Sequence, residues 1–253
     1  MLILYNKPNL YFYCGNHTKK ILPYRIYRMS SIFVSFGGPT ESYRNRVNEI
    51  AKQAKDTDMF DHIVTFTDKD LENDQEFWGK HGQFMSDPNN QRGYGFWLWK
   101  PYIILKVLET LKDGDFLVYA DAGCTINPGG IGRYREYKSM LESSPFGLLA
   151  FQLYACNDNE YIKRATLEYI GATDQDKNTP QIITTALMIK KTEQSVKFVR
   201  DWYQIASIYE FIDDSHHQEE FAEFRDHRHD QAIFSLLVKR ASRMECKIGR
   251  AHV

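Results

Sequence analysis

Between Ile32 and Phe66 the chain runs from an apolar stretch through a helical pattern to a second apolar stretch, and few folds accept that order. Ile32–Phe36 is β-branched and aromatic and stops at Gly37-Gly38-Pro39, which reads as a strand delivered into a turn. From Ser42 to Lys55 the residues Val47, Ile50, Ala51 and Ala54 recur at helical spacing. His62–Phe66 is the next short strand. Two strands joined through a helix form a crossover unit, which places them parallel with the helix on the sheet face. The expected fold is α/β: a mixed, mostly parallel sheet flanked by helices, in a single domain.

The rest of the chain extends that pattern. Residues 72–95 are polar and rich in Gly and Asn, and are expected as a loop region with a short helix. Pro101 takes the favoured first-turn position of a helix whose buried stripe is Ile103, Ile104, Val107, Leu108 and Leu111. Asp113-Gly114 breaks it, and Phe116–Ala120 follows as a central strand ending at Asp121. Phe146–Leu153 and Ile182–Ile189 are further strands. A helix from Gln194 to Tyr209 buries Val199, Trp202, Tyr203 and Ala206, and the last begins near Asp230 with Ile233, Phe234 and Leu237 inward. No internal repeat, low-complexity tract or linker interrupts the chain.

Charge and cysteine usage narrow the partners. A formal net charge of −1 provides no basic field for a nucleic-acid backbone, so no nucleic acid is expected. No apolar run approaches the ~20 residues of a membrane helix. Cys14, Cys124, Cys156 and Cys246 lie far apart without a CxxC pair, a usage that suits a reducing, cytoplasmic compartment. Residues 1–28 show no period and are expected to be an extension or upstream sequence, with the domain starting at Met29. Ile248–Val253 reads like a translated sequencing adapter, which implies a domain over residues 29–247 continuing past Cys246.

Three segments carry chemistry. Gly114–Cys124 is an apolar strand that delivers Asp121 at its C-terminal end, the edge where open α/β sheets bind ligands. A carboxylate there can hold a divalent cation that neutralises a diphosphate; Asp-Ala-Gly is equally good turn chemistry. Arg92-Gly-Tyr-Gly-Phe-Trp-Leu-Trp-Lys-Pro101 is dense in aromatics, which serve as a core plug, and places Arg92 and Lys100 beside a helix start suited to phosphates. Glu223–Leu237 sets ionisable residues and Gln231 before an apolar helix, with Asp230 as a natural N-cap.

The strand ending Tyr-Ala-Asp-Ala-Gly resembles the Tyr-Leu-Asp-x-Asp strand end of GT-A glycosyltransferases, with Asp121 at the first Asp and Gly123 at the second. Ile183–Lys190 is similar to the Asn-Ala-Gly strand of the retaining members, such as glycogenin and the lipopolysaccharide galactosyltransferases, and Asp230-Gln231 resembles their Asp-Gln. Taken in order, GYGFWLWKP, GDFLVYADAG and HRHDQAIFSLL resemble a little-characterised group of bacterial and large-virus glycosyltransferases, over Ser31 to Lys239.

That resemblance implies a GT-A, Rossmann-like fold. It implies a hexosyltransferase taking a nucleotide-diphosphate sugar, a UDP-sugar by default, to a saccharide or other hydroxyl acceptor, with retention, as in polysaccharide biosynthesis. The implied donor site is Phe36, Gly37, Arg46, Arg92, Lys100, Asp121 and Thr185, with Gln231 and Asp230 at the anomeric carbon. Mn²⁺ or Mg²⁺ would sit on Asp121 with help from His229, although Gly123 removes one usual ligand. Two other readings are open. One is a zinc hydrolase built on His216, His217, His227, His229, Asp230 and either Asp213 or Asp214; the other is a non-catalytic carbohydrate-binding protein using the aromatic surface.

Overall fold

The computed structural model describes residues 29–242 and the backbone of 247–250; the segments 1–28, 243–246 and 251–253 lie outside the described residues. In chain order the elements are β1 (Ser31–Phe36), α1 (Glu41–Asp56), β2 (His62–Phe66), α2 (Asp68–Glu72), α3 (Gln75–Ser86), a short turn α4 (Gly93–Phe96), α5 (Trp99–Thr110), β3 (Phe116–Ala120) and α6 (Ile131–Glu142). Then follow β4 (Leu148–Asn157), α7 (Asp158–Tyr161), α8 (Arg164–Ile170), α9 (Asp174–Lys177), β5 (Pro180–Lys190), α10 (Glu193–Ala206), α11 (His229–Ser242) and β6 (Lys247–Arg250). The sheet order is β2-β1-β3-β5-β4-β6.

β1 pairs in parallel with both β2 and β3, as the crossover pattern requires. β5 runs antiparallel between β3 and β4, and β6 lies parallel on the outer side of β4. Five of the six strands therefore share one direction, which brings the C-terminal ends of β1, β3 and β4 to the same edge as the start of β5.

Helices cover both faces. On one side α5, α10 and α11 close a large core in which Ile104, Leu108, Trp202, Ile233 and Phe234 are buried. On the other, α1 packs Val47, Ile50 and Ala54 against Phe33, and α6 brings Leu141 onto Phe116 and Leu149. Each fully buried large apolar side chain contributes about 1.5–3 kcal/mol. α11 is pinned from the sheet end by Asp158, whose carboxylate meets Lys239 Nζ at 2.7 Å while that ammonium also donates to the Asp176 and Thr179 carbonyls, both at 2.9 Å.

The structure corrects the sequence expectations in two places. Residues 72–95 hold a twelve-residue helix, α3, where a loop region with only a short helix was expected, because Phe77, His81 and Met85 make an inward stripe that the surrounding polar residues disguise. β4 begins at Leu148 rather than Phe146 and runs on to Asn157, with register shifts that an alternation pattern does not show.

Candidate functional site

β3 is buried along its length and ends at Asp121, whose backbone N–H donates to the Thr185 carbonyl at 2.9 Å and so fixes the carboxylate beside β5. Tyr119 lies two residues earlier, hence on the same face. Its fully buried hydroxyl donates to Asp121 Oδ1 at 2.6 Å. Burial, and then the neighbouring Asp121 charge, push the Tyr119 phenol well above its ordinary value, so it stays a donor.

Lys100 reaches the same oxygen from the first turn of α5. The chain before it is unusual: Gly93, Tyr94, Gly95, Phe96 and Trp97 all have positive φ. Two of these must be glycine, since a Cβ on Gly93 would strike the Trp97 ring at 2.3 Å and one on Gly95 would strike Met85 Sδ at 2.2 Å. Tyr94, Phe96 and Trp97 each cost about 1–2 kcal/mol in this region. The tight turn swings the start of α5 inward, with Trp99 Nε1 donating to the Gly93 carbonyl at 3.1 Å and its ring stacked on Phe36 at 3.9 Å.

The result is a lysine side chain only 2% exposed, with Nζ 3.1 Å from Asp121 Oδ1, 3.4 Å from Asp230 Oδ2 and 3.3 Å from Thr184 Oγ1. Burial works against the ammonium, but the charges of Asp121 and Asp230 outweigh it and hold Lys100 above the usual lysine value.

α11 delivers the third group. It begins at His229, so Asp230 lies inside the first turn and its carboxylate points at Lys100, not at the cap position expected from the sequence. Burial pushes Asp230 up to about 6, offset in part by Lys100 and reinforced by Asp121. Its carbonyl accepts from Trp202 Nε1 at 3.0 Å, which anchors the helix start. Gln231, next in line, accepts from the Thr184 N–H at 3.4 Å and donates to Gln181 Oε1 at 2.6 Å.

Lys100, Asp121, Asp230 and Gln231 are thus brought together through Thr184. Other candidates sit elsewhere or face differently. Phe36 is buried beneath Trp99, and Gly37 is a packing point where a Cβ would lie 2.4 Å from the Tyr43 carbonyl. Arg46 projects from the exposed face of α1. Arg92 forms a forked pair with Asp226 at 2.6 and 3.1 Å and also reaches Asp214. Thr185 contributes its carbonyl, while the neighbouring Thr184 contributes the hydroxyl. Tyr119 and Gln181 were not singled out by the sequence; the two-residue spacing of Tyr119 from Asp121 was the available signal.

The histidines are held by the backbone. His227 accepts from Lys163 N–H at 3.3 Å through Nδ1 and pairs through Nε2 with the Phe211 carbonyl at 3.0 Å, and burial holds it well below the usual histidine value. His229 Nδ1 donates to the Ile212 carbonyl at 2.7 Å, its ring lies against Phe96 and Trp97, and Nε2 is enclosed 3.7 Å from Asp214. Burial lowers it to about 4. Among the described residues no three His, Cys, Asp or Glu side chains converge as metal ligands.

No protein-family profile matches the sequence, and no curated protein matches it. Among solved structures, the chain is similar to a glycosyltransferase involved in the glycosylation of the major capsid of PBCV-1, at 11% identity over 78% of this chain and 81% of that one, with a TM-score of 0.40. It is similar also to mouse xyloside xylosyltransferase 1 in its apo form, at 8% identity over 88% of this chain and 84% of that one, with a TM-score of 0.42. At these scores neither likeness bears on activity.

Proposed function

We propose that the chain is a glycosyltransferase of the GT-A type, taking a hexose or similar sugar from a nucleotide-diphosphate donor to a saccharide or other hydroxyl acceptor. One observation carries this reading: four separate segments that resemble the motifs of such enzymes supply Lys100, Asp121, Thr184 and Asp230-Gln231 to one cluster at the C-terminal edge of β3. That edge is where ligands of open α/β sheets bind. UDP is the default nucleotide.

In this account Asp121 faces the donor with its half-exposed carboxylate, and Gln231 offers an amide whose orientation is fixed by Thr184 and Gln181. The anomeric carbon–oxygen bond to the diphosphate breaks as the acceptor hydroxyl oxygen bonds to that carbon. The hydroxyl proton leaves with the nucleoside diphosphate. Retention follows from the Asp-Gln resemblance.

The residues do not fit a resident divalent cation: Asp121 has only Oδ2 to offer, since Oδ1 is held by Tyr119 and Lys100, Gly123 has no ligand, His229 Nε2 is turned toward Asp214, and no three His, Cys, Asp or Glu side chains converge among the described residues. The hydrolase reading is not favoured either, since His227 and His229 are bound to backbone carbonyls.

The experiment is to incubate the purified protein with UDP-, GDP-, CDP- and ADP-sugars and to measure release of nucleoside diphosphate, with Asp121→Asn as the control. Release from one donor class, lost in the variant, is expected. A well-folded protein that releases nothing from any of the four, with or without a panel of saccharide acceptors, would sink the proposal.

A further inference from the structure

Lys100 carries more than its motif suggests. An ammonium has three N–H donors, and three acceptors surround this one: Asp121 Oδ1, Thr184 Oγ1 and Asp230 Oδ2, at 3.1, 3.3 and 3.4 Å. The side chain is closed off from solvent, with Trp99 and Tyr119 rings over the ammonium at 5.9 and 5.4 Å, so a diphosphate has no path to it without breaking the cluster.

The same geometry makes the two oxygens of Asp121 unequal. Oδ1 takes both the Tyr119 hydroxyl and the Lys100 ammonium, and Oδ2 has no protein donor among the described residues, while the carboxylate as a whole is 32% exposed. A carboxylate held by one oxygen from two directions has lost its freedom to rotate. We propose that Lys100 is a positioning residue that holds Asp121 by Oδ1 so that Oδ2 alone meets the ligand, and that Lys100 itself does not touch that ligand.

Several observations converge on this role. Lys100 ties β3 to α11, two elements that are distant in sequence and meet at the site. The strained run before α5, with three non-glycine residues at positive φ, is what turns the lysine inward, and such strain persists only where the surrounding structure over-determines it. Two carboxylates packed at one sheet edge would repel each other without a cation between them. The identity of the ligand rests on the glycosyltransferase reading; the clamp does not.

Two measurements test the clamp. In the first, ¹⁵N-detected NMR of lysine ammonium groups is recorded without ligand, with Lys100→Met providing the assignment. A slowly exchanging Lys100 signal that moves in both Asp121→Asn and Asp230→Asn is expected. An ammonium exchanging with water like a surface lysine would overturn the proposal whether or not any nucleotide binds.

In the second, affinities for UDP, GDP, CDP and ADP are compared at pH 8 in wild type, Asp230→Asn and Lys100→Met/Asp230→Asn. The double variant removes one buried charge of each sign, whereas Lys100→Met alone leaves the Asp230 carboxylate buried without its cation. The double variant is expected to bind about threefold more weakly than Asp230→Asn, because Asp121 Oδ1 has lost one of the two groups that hold it. A loss of about tenfold or more at pH 8 would make Lys100 a ligand contact and overturn the proposal. Affinity equal to that of Asp230→Asn would make the lysine merely structural, which also overturns it. Failure of wild type to bind any of the four counts against the glycosyltransferase reading, and the ammonium signal then decides the clamp alone.

Discussion

Lys100 Nζ lies 3.4 Å from Asp230 Oδ2, and both side chains are closed to solvent. The second carboxylate of the cluster is thus buried with a single cation, and burial pushes it up to about 6. In the unfolded chain an aspartate titrates near ~4. A carboxyl whose folded value is raised contributes stability that is full below the unfolded value and is lost as pH rises through the folded one. Asp230→Asn lacks this dependence. Relative to wild type, the variant is expected to gain on the order of 3 kcal/mol between pH 4 and 7. Denaturant titrations of both proteins across that range check it; Asp158, also raised to about 6, cancels in the difference.

Tyr119→Phe removes the hydroxyl that donates to Asp121 Oδ1 at 2.6 Å and leaves the ring in place. The loss in stability is expected to be about 0.5–1.5 kcal/mol, the net worth of one hydrogen bond. Because the bond orients Asp121, nucleotide affinity should fall as well. Urea unfolding and calorimetric titration with UDP separate the two effects.

Gly37→Ala tests the β1–α1 turn. The added methyl would lie 2.4 Å from the Tyr43 carbonyl and 2.5 Å from Val47 Cβ, and neither neighbour is the far end of a flexible chain. Overpacking of this kind costs about 1–3 kcal/mol. A shift in the urea midpoint at unchanged slope is the expected result.

How much of this was legible beforehand differs by element. The βαβ start, the β3 strand and its terminal Asp121 could be read, because each is a short apolar run with a sharp boundary. α3 could not, since its inward stripe of Phe77, His81 and Met85 is diluted by Gly79, Gly82 and charged residues. In the site, Lys100, Asp121, Asp230 and Gln231 were all named from the sequence. Their arrangement was not: a lysine beside a helix start reads as a phosphate contact, and only the positive-φ run at Gly93–Trp97 turns it inward. Phe36 was likewise read as a nucleotide-facing residue, while its ring is stacked on Trp99 in the core. Backbone dihedrals of that kind leave only glycines as a trace in a sequence.

Gln181→Leu addresses Gln231. Gln181 is fully buried and its Oε1 accepts from Gln231 Nε2 at 2.6 Å, so the substitution frees the amide to turn. Misplacing a group by about 1 Å can cost roughly 100-fold in rate. Turnover is expected to fall by roughly tenfold or more with the donor KM little changed. Steady-state kinetics on the donor identified by nucleoside diphosphate release provides the check.

The central claim is that the edge of β3 at Asp121 binds a nucleoside diphosphate. Thermal unfolding of wild type and Asp121→Asn with UDP, GDP, CDP and ADP, each with and without Mn²⁺, tests it most directly. A ligand at about 100 times its Kd adds about 2.7 kcal/mol to the native state, which corresponds to a rise of about 5–10 °C for a chain of this size. The account predicts such a rise with one nucleotide in wild type and its loss in Asp121→Asn. An unchanged melting temperature with all four, or an equal rise in the variant, would contradict it.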